Sequence, residues 1–375
     1  NEKMKEPSLQ SGNQLSVRAI LMWRAAQTLV WLAGLVILYY LIFDPTIGIH
    51  LFWNILIPVA PFLFVIAIGV WRNICPMAST ALFSRHMGFS RRKRLSVKQS
   101  GKLRLIAVIA LFLIVPLRHA IFNTNGLATA ILILSLALVA IIMGVLFESK
   151  SGWCSSLCPV HPVEQLYGQS NRLSLQNAHC DNCYNCVIPC PDSTPGINPM
   201  SSKETTYHKA AGVLMVGSFP GFVWGWFQVR DYLVTDVHVA QLITVYKMPL
   251  IGLLASSALF LILKRFLKEK TLISIYSATA ISCYYWYRIP ALVGFGVFPE
   301  DGTLIDLTGS MPEWSITATI VATTLFFFWW IVARRENPLS WSARPPYACL
   351  KNETKGRQGS KAKGKDQPLS TGFRA

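Results

Sequence analysis

The feature that most restricts what this chain can fold into is a series of apolar runs, each long enough to cross a bilayer as a helix. Eight can be counted, at residues 25–43, 49–70, 103–121, 127–147, 210–227, 247–266, 272–293 and 316–332. A hydrocarbon core about 30 Å thick needs roughly 20 apolar helical residues to span it. Closed barrels also satisfy their backbone inside lipid, but their strands alternate apolar with polar residues, and these runs do not. The expected fold is therefore an all-α polytopic membrane protein of about eight transmembrane helices. Only 14% of residues are charged, against about a quarter in soluble domains. The run at 210–227 is the weakest; Pro220 and four glycines predict a kink or a break there.

The net charge of +17 could suggest a nucleic-acid partner, but its distribution suggests topology instead. Residues 85–104 hold eight Lys/Arg and no acid, whereas 296–313 hold four acids and no base. Basic loops stay cytoplasmic. Placing 85–104 inside puts both termini inside with an even number of spans, and leaves the acidic loop outside. The positive charge then reads as contact with anionic headgroups of the inner (cytoplasmic) membrane, and no nucleic-acid role is expected. The first run is long and follows a polar stretch, so it reads as a retained span and not a secretory signal. Five segments are expected: a cytoplasmic lead (1–24), a four-helix half (25–147), a cytoplasmic insert (148–207), a second four-helix half (208–333) and a basic tail (334–375) expected to be disordered.

The insert carries the chemistry. Cys180, Cys183, Cys186 and Cys190, followed by Pro191, match the ferredoxin spacing C-x₂-C-x₂-C-x₃-C-P. A tight loop wraps three thiolates around one cubane, and the fourth cysteine points elsewhere. The insert is therefore expected to be a small ferredoxin-like iron–sulfur unit binding one or two 4Fe–4S clusters. Structural zinc sites split their ligands into separated pairs, and this packed motif does not. On the cytoplasmic side thiols stay reduced, so disulfides are not expected. Two further Cys-Pro boxes end at Cys158-Pro159, with Cys154 four residues earlier, and at Cys75-Pro76, where Trp71 stands in the first cysteine's place. Residues 25–88 and 103–168 thus read as a repeat of helix, outer loop, helix and Cys-Pro box, which would bring seven cysteines together.

Seven thiolates are one short of two complete sites. Three readings stay open. Two clusters could form with a non-cysteine eighth ligand, for which His161, His179 and Asp181 are candidates. One cluster could draw its fourth ligand from Cys75, Cys154 or Cys158. Or the boxes could serve another purpose, such as copper binding or a dithiol switch.

A repeated membrane helix ending in a Cys-Pro box, then a cytoplasmic C-x₂-C-x₂-C-x₃-C-P motif, resembles the polytopic ferredoxin-type iron–sulfur proteins of the NapH/NosR type. The resemblance covers roughly residues 25–200. It implies that Cys180, Cys183, Cys186 and Cys190 are cluster ligands and that Cys154 and Cys158 form the family's box. It also implies electron transfer between the quinol pool, cytoplasmic-side clusters and a partner reductase. Related members support oxidase assembly or copper reduction. The chain departs from the family in having one ferredoxin motif and in Trp71, and nothing in it resembles the flavin-binding domain of the larger members, so no flavin is implied.

Other residues have plainer readings. His50, His119 and His238 fall near outer span ends, where a quinol headgroup could bind, but ordinary interfacial hydrogen bonds are the expectation. No histidine pair sits mid-membrane, so haem is not expected. Lys247 and Arg288 are expected to snorkel, Glu148 and Lys150 to be solvated, Cys283 to pack and Cys349 to be free. No nucleotide loop or hydrolytic triad stands out. The expected role is an electron relay to a redox partner protein in respiration, not a self-contained enzyme. An assembly or metal-handling factor and a redox sensor are the alternatives.

Overall fold

The computed structural model describes residues 15–91, 93, 95–147, 150–179, 192, 194–232, 239–298, 301–334 and 339–342. Among these, regular structure is helical, and strand pairing is limited to two isolated bridges. The helices are α1 (Val17–Phe43), α2 (Pro45–Ile49), α3 (Ile57–Ile74), α4 (Pro76–His86), α5 (Val97–Ile114), α6 (Gly126–Leu146), α7 (His161–Tyr167), α8 (Thr206–Trp226), α9 (Val239–Leu263), α10 (Glu269–Leu292) and α11 (Glu313–Phe328). π-Helical segments occur at His50–Leu56, Arg118–Phe122, Lys150–Leu157 and Trp329–Ala333.

Each of the eight apolar runs is matched by a helix. Five segments are long and apolar enough to cross a membrane: α1, the stretch from α2 to α4, α6, α9, and α11 with its π-helical end. These fit a multi-pass membrane protein. Helices α5, α8 and α10 fall outside that set: α5 carries Lys98, Lys102 and Arg104, and α8 and α10 are more polar and more buried. In α8, 13 of 21 residues are buried, against only Gln27 and Leu41 in α1. A helix facing its neighbours can carry small and polar residues that a lipid-facing helix cannot. The main core gathers around α8, with Phe64 and Val65 of α3, Phe112 of α5, Tyr276 and Ile281 of α10 and Phe327 of α11.

The expected break in α8 is absent; the helix runs unbroken through Pro220. Its glycines serve close packing. Gly217, Gly221 and Gly225 recur every four residues and form one stripe. A methyl group added at Gly221 would collide with the Gly252 backbone of α9, and one at Gly225 with the Met248 backbone. This small-residue spacing lets two helix backbones approach.

The internal repeat is visible as architecture. Helix, π-helical link, helix, Cys-Pro and a further helix recur in α1 to α4 and in α5 to α7, with α2 added in the first and the π-helical Lys150–Leu157 segment added in the second. Part of the region assigned to the tail is ordered. Leu175 N–H donates to the Trp341 carbonyl at 2.7 Å, and Trp341 is buried.

Candidate functional site

The residue before a proline is driven away from helical geometry. Helix α3 accordingly ends at Cys75, whose ψ of 118° leaves the helix, and Pro76 opens α4. The second box behaves similarly. The Cys158 N–H donates to the Trp153 carbonyl at 3.0 Å, and the Cys158 carbonyl accepts from His161 N–H at the start of α7. Packing then brings the boxes together. Gly144 of α6 presses on the Ala81 carbonyl of α4 with no room for a side chain. Trp153, Met143 and Ala81 form a small core against which Met77, Cys154 and Cys158 pack. Cys75, Cys154 and Cys158 are half-buried, free of disulfides, and within electrostatic reach of one another and of Glu164.

Arg72, one turn before Cys75, ties this region together. Its guanidinium donates to Glu164 Oε2 at 2.6 Å and makes a short ion pair with Asp192. It also approaches His161 Nδ1 at 2.8 Å and lies over the Trp341 ring. Trp71, the residue in the missing cysteine's place, donates from Nε1 to Glu164 Oε1 at 2.9 Å. So the first box is bonded to the helix that follows the second box, and to the residue that follows Cys190-Pro191. Burial alone would raise the Glu164 carboxyl; the Arg72 charge overrides burial and holds it at about 2. Burial pushes His161 down to about 4, so it is neutral at pH 7.

The chain entering the cysteine loop is held as closely. Asn73 accepts from Ala178 N–H at 2.8 Å and donates to the Gln176 carbonyl at 3.2 Å. Its own carbonyl lies 3.1 Å from His179 Nε2 and accepts from Gln27 at 2.9 Å. Cys180, Cys183, Cys186, Cys190 and Asp181 lie outside the described residues, as do His238, Glu148 and Cys349. Residues 179 and 192, which flank the motif, are both fastened to the end of α3 beside Cys75.

Two eighth-ligand candidates can be placed. His179 directs Nε2 at the Asn73 carbonyl, an acceptor, so that nitrogen carries the hydrogen. His161 Nδ1 lies between the Arg72 guanidinium at 2.8 Å, which only donates, and Glu164 Oε2 at 3.2 Å, which only accepts, while its Nε2 has no hydrogen-bond partner. A histidine whose Nε2–H is held by a backbone carbonyl keeps its lone pair on Nδ1, so this contact leaves His179 a candidate ligand through that nitrogen. The donor set of the boxes suits a cluster. Burial pushes the Cys158 thiol well above its ordinary value, so a bare thiolate is disfavoured there. Among the described residues no three His, Cys, Asp or Glu side chains close around a single ion. Ligands of a cubane bind different irons and stand further apart than those of one zinc.

A second polar cluster lies at the opposite end of the bundle. The sequence places His119 there as a candidate quinol contact and favours ordinary interfacial bonds, and it does not foresee the part of Asp231 and Asp301. His119 Nδ1 pairs with Asp231 Oδ1 at 2.5 Å, and Arg118 reaches the same oxygen at 3.3 Å. Asp301 Oδ2 accepts from Asp231 N–H at 2.7 Å, and burial raises the Asp301 carboxyl to about 6. Arg288 does not snorkel. It is 2% exposed and donates to the Trp53 carbonyl and Asn54 Oδ1, both at 2.8 Å. These groups line a small cleft of about 30 Å³ with Trp226, Phe227 and Tyr287. Into this region His119 Nε2, Asp231 Oδ2 and Arg288 Nε bring buried atoms without hydrogen-bond partners. His50 meets the plainer expectation with a 3.1 Å bond to Asn54; Lys247 is exposed, and Cys283 packs on the core.

The fold and site together describe a helical, multi-pass type of membrane protein with converging cysteines at one end. Comparison with known proteins adds a partial likeness. Over 70 residues, 18% of this chain, it is 29% identical to the ferredoxin-type protein NapH of Haemophilus influenzae. The match spans about a quarter (24%) of that relative's length. No protein-family profile and no solved structure matches.

Proposed function

We propose that this chain is an eight-span inner-membrane electron-transfer protein with both termini and the cysteine insert on the cytoplasmic side. Cys180, Cys183, Cys186 and Cys190 bind a 4Fe–4S cluster. Cys75, Cys154 and Cys158 complete that site or contribute to a second. One observation carries the reading: both Cys-Pro boxes and both flanks of the ferredoxin motif are fastened to the end of α3 through Arg72 and Asn73. Such a cluster supplies reversible one-electron chemistry. The protein's own contribution is burial, sulfur ligation and the charges of Arg72, Glu164 and Asp192. Electrons come from the quinone pool or a cytoplasmic donor and leave to a partner respiratory reductase. The partial NapH likeness supports this role.

The cleft at the other end supports the quinone pool as donor. A headgroup presents a hydroxyl or carbonyl oxygen at each end of a flat ring. His119 oriented by Asp231, the Arg288 guanidinium and the walls of Trp226 and Tyr287 match that chemistry.

The test is iron and sulfide content of anaerobically purified full chain, with electron paramagnetic resonance before and after reduction. About eight irons with spin-coupled signals mean two clusters, and about four mean one. Zinc without iron overturns the proposal.

A further inference from the structure

The buried guanidinium of Arg72 calls for explanation beyond the fold. It sits near the end of a strongly apolar span, 6% exposed, in contact with two buried carboxylates. Burying such charges costs several kcal/mol each, and apolar replacement of a buried ion network is often neutral or stabilising. Stability alone is therefore a weak reason for it. Its partners lie 92 and 120 residues away in sequence. One follows Cys158-Pro159 and the other follows Cys190-Pro191, while Arg72 itself precedes Cys75-Pro76. Its charge also acts on Cys154.

We infer that Arg72 is a positioning residue for the thiol site: it fixes the chain beyond Cys158-Pro159 and beyond Cys190-Pro191 against the end of α3, and its charge sets the reduction potential there. The inference rests on the iron–sulfur reading above. A positive charge favours the more negative, reduced state and so raises the potential. Glu164 and Asp192 oppose that effect while orienting the guanidinium. Arginine is suited to the task because its planar fork can satisfy two carboxylates at once; a lysine ammonium keeps the charge but not the fork.

The signs make this testable in the full chain, purified anaerobically in detergent. Arg72→Gln should keep its helical circular dichroism, bind less iron, and titrate at a more negative potential than wild type. Arg72→Lys should restore the potential more fully than the iron content. Glu164→Gln and Asp192→Asn should each move the potential the other way, to more positive values. A loss of packing alone would not give opposite signs. Wild-type iron and potential in Arg72→Gln overturns the inference and leaves the cluster reading intact. Should Arg72→Gln fail to fold, the two carboxylate variants decide, and unchanged potentials in both overturn it. A wild-type protein without iron overturns the cluster reading itself.

Discussion

Neutralising Glu164 gives a stability change whose size and pH dependence both follow from the structure. The carboxylate is buried, bonded to Arg72 at 2.6 Å and to the Trp71 indole at 2.9 Å. Its folded-state pKa of about 2 lies below the ordinary 4.5. At 1.36 kcal/mol per pH unit, that drop corresponds to about 3 kcal/mol. Because the folded value is depressed, the stabilisation is complete above pH 4.5 and is lost as pH falls toward 2. Glu164→Gln removes it at every pH. The variant should therefore be less stable than wild type by about 3 kcal/mol at pH 7. The gap should close steadily between pH 4.5 and 2. Arg72 keeps Asp192 in the variant, which holds the loss near the lower end of the 3–5 kcal/mol seen when a buried pair is broken. Denaturant unfolding in detergent at pH 7, 5 and 3, followed by tryptophan fluorescence, reads this directly. A difference that stays constant across those three values would refute the electrostatic account and point to lost packing instead.

Other outcomes follow from the same geometry. Gly221→Leu should push α8 from α9 and destabilise the bundle by about 1–3 kcal/mol or more, whereas Gly34→Leu, which faces open space, should be tolerated; thermal unfolding compares them. Cys154→Ser should lower bound iron or alter its resonance signal, and identical iron and signal would remove Cys154 from the site. His119→Gln and Asp231→Asn should weaken binding of a quinone analogue, read by quenching of the protein's tryptophan fluorescence, while leaving iron content at the wild-type level. Extracting the metal with a chelator should expose Cys75, Cys154 and Cys158 to alkylation together; unchanged labelling would place them away from any cluster.

The apolar runs showed where the helices lie, and the Cys-Pro pairs showed where two of them end, because both are local properties. Proline's effect on the preceding residue is enough to place Cys75 at a helix end. What the runs did not show is which helices face lipid. The glycines of α8 illustrate the difficulty. Four glycines and a proline in a run of 18 residues suggest fragility when read alone. Against α9, Gly217, Gly221 and Gly225 are the condition for close packing. The partner is some 30 residues further on, and nothing in the run announces it. Trp71 is a similar case. In the motif it is a missing cysteine, while in the fold its indole N–H secures Glu164 across 93 residues.

The same limit explains why the buried charges escaped notice. Hydropathy treats an arginine near a span end as a residue that reaches for water. Four arginines near span ends here turn inward instead. Arg72 meets Glu164 and Asp192, and Arg104 meets Gln165 and the Pro199 carbonyl. Arg118 meets Asp231, and Arg288 meets Asn54 and the Trp53 carbonyl. Residue type and depth do not separate the two fates; a partner supplied by a distant segment does. For Arg72, Arg104 and Arg118 that partner lies in a loop or a short helix outside the long helices; for Arg288 it lies in the π-helical segment that leads into α3. The buried arginines are therefore the points at which the connecting segments are fixed to the spans. Their two groups, Arg72 with Arg104 and Arg118 with Arg288, mark the two ends of the bundle where chemistry can be placed. At the first end stand the cysteines, and at the second the His119–Asp231 pair and its cleft.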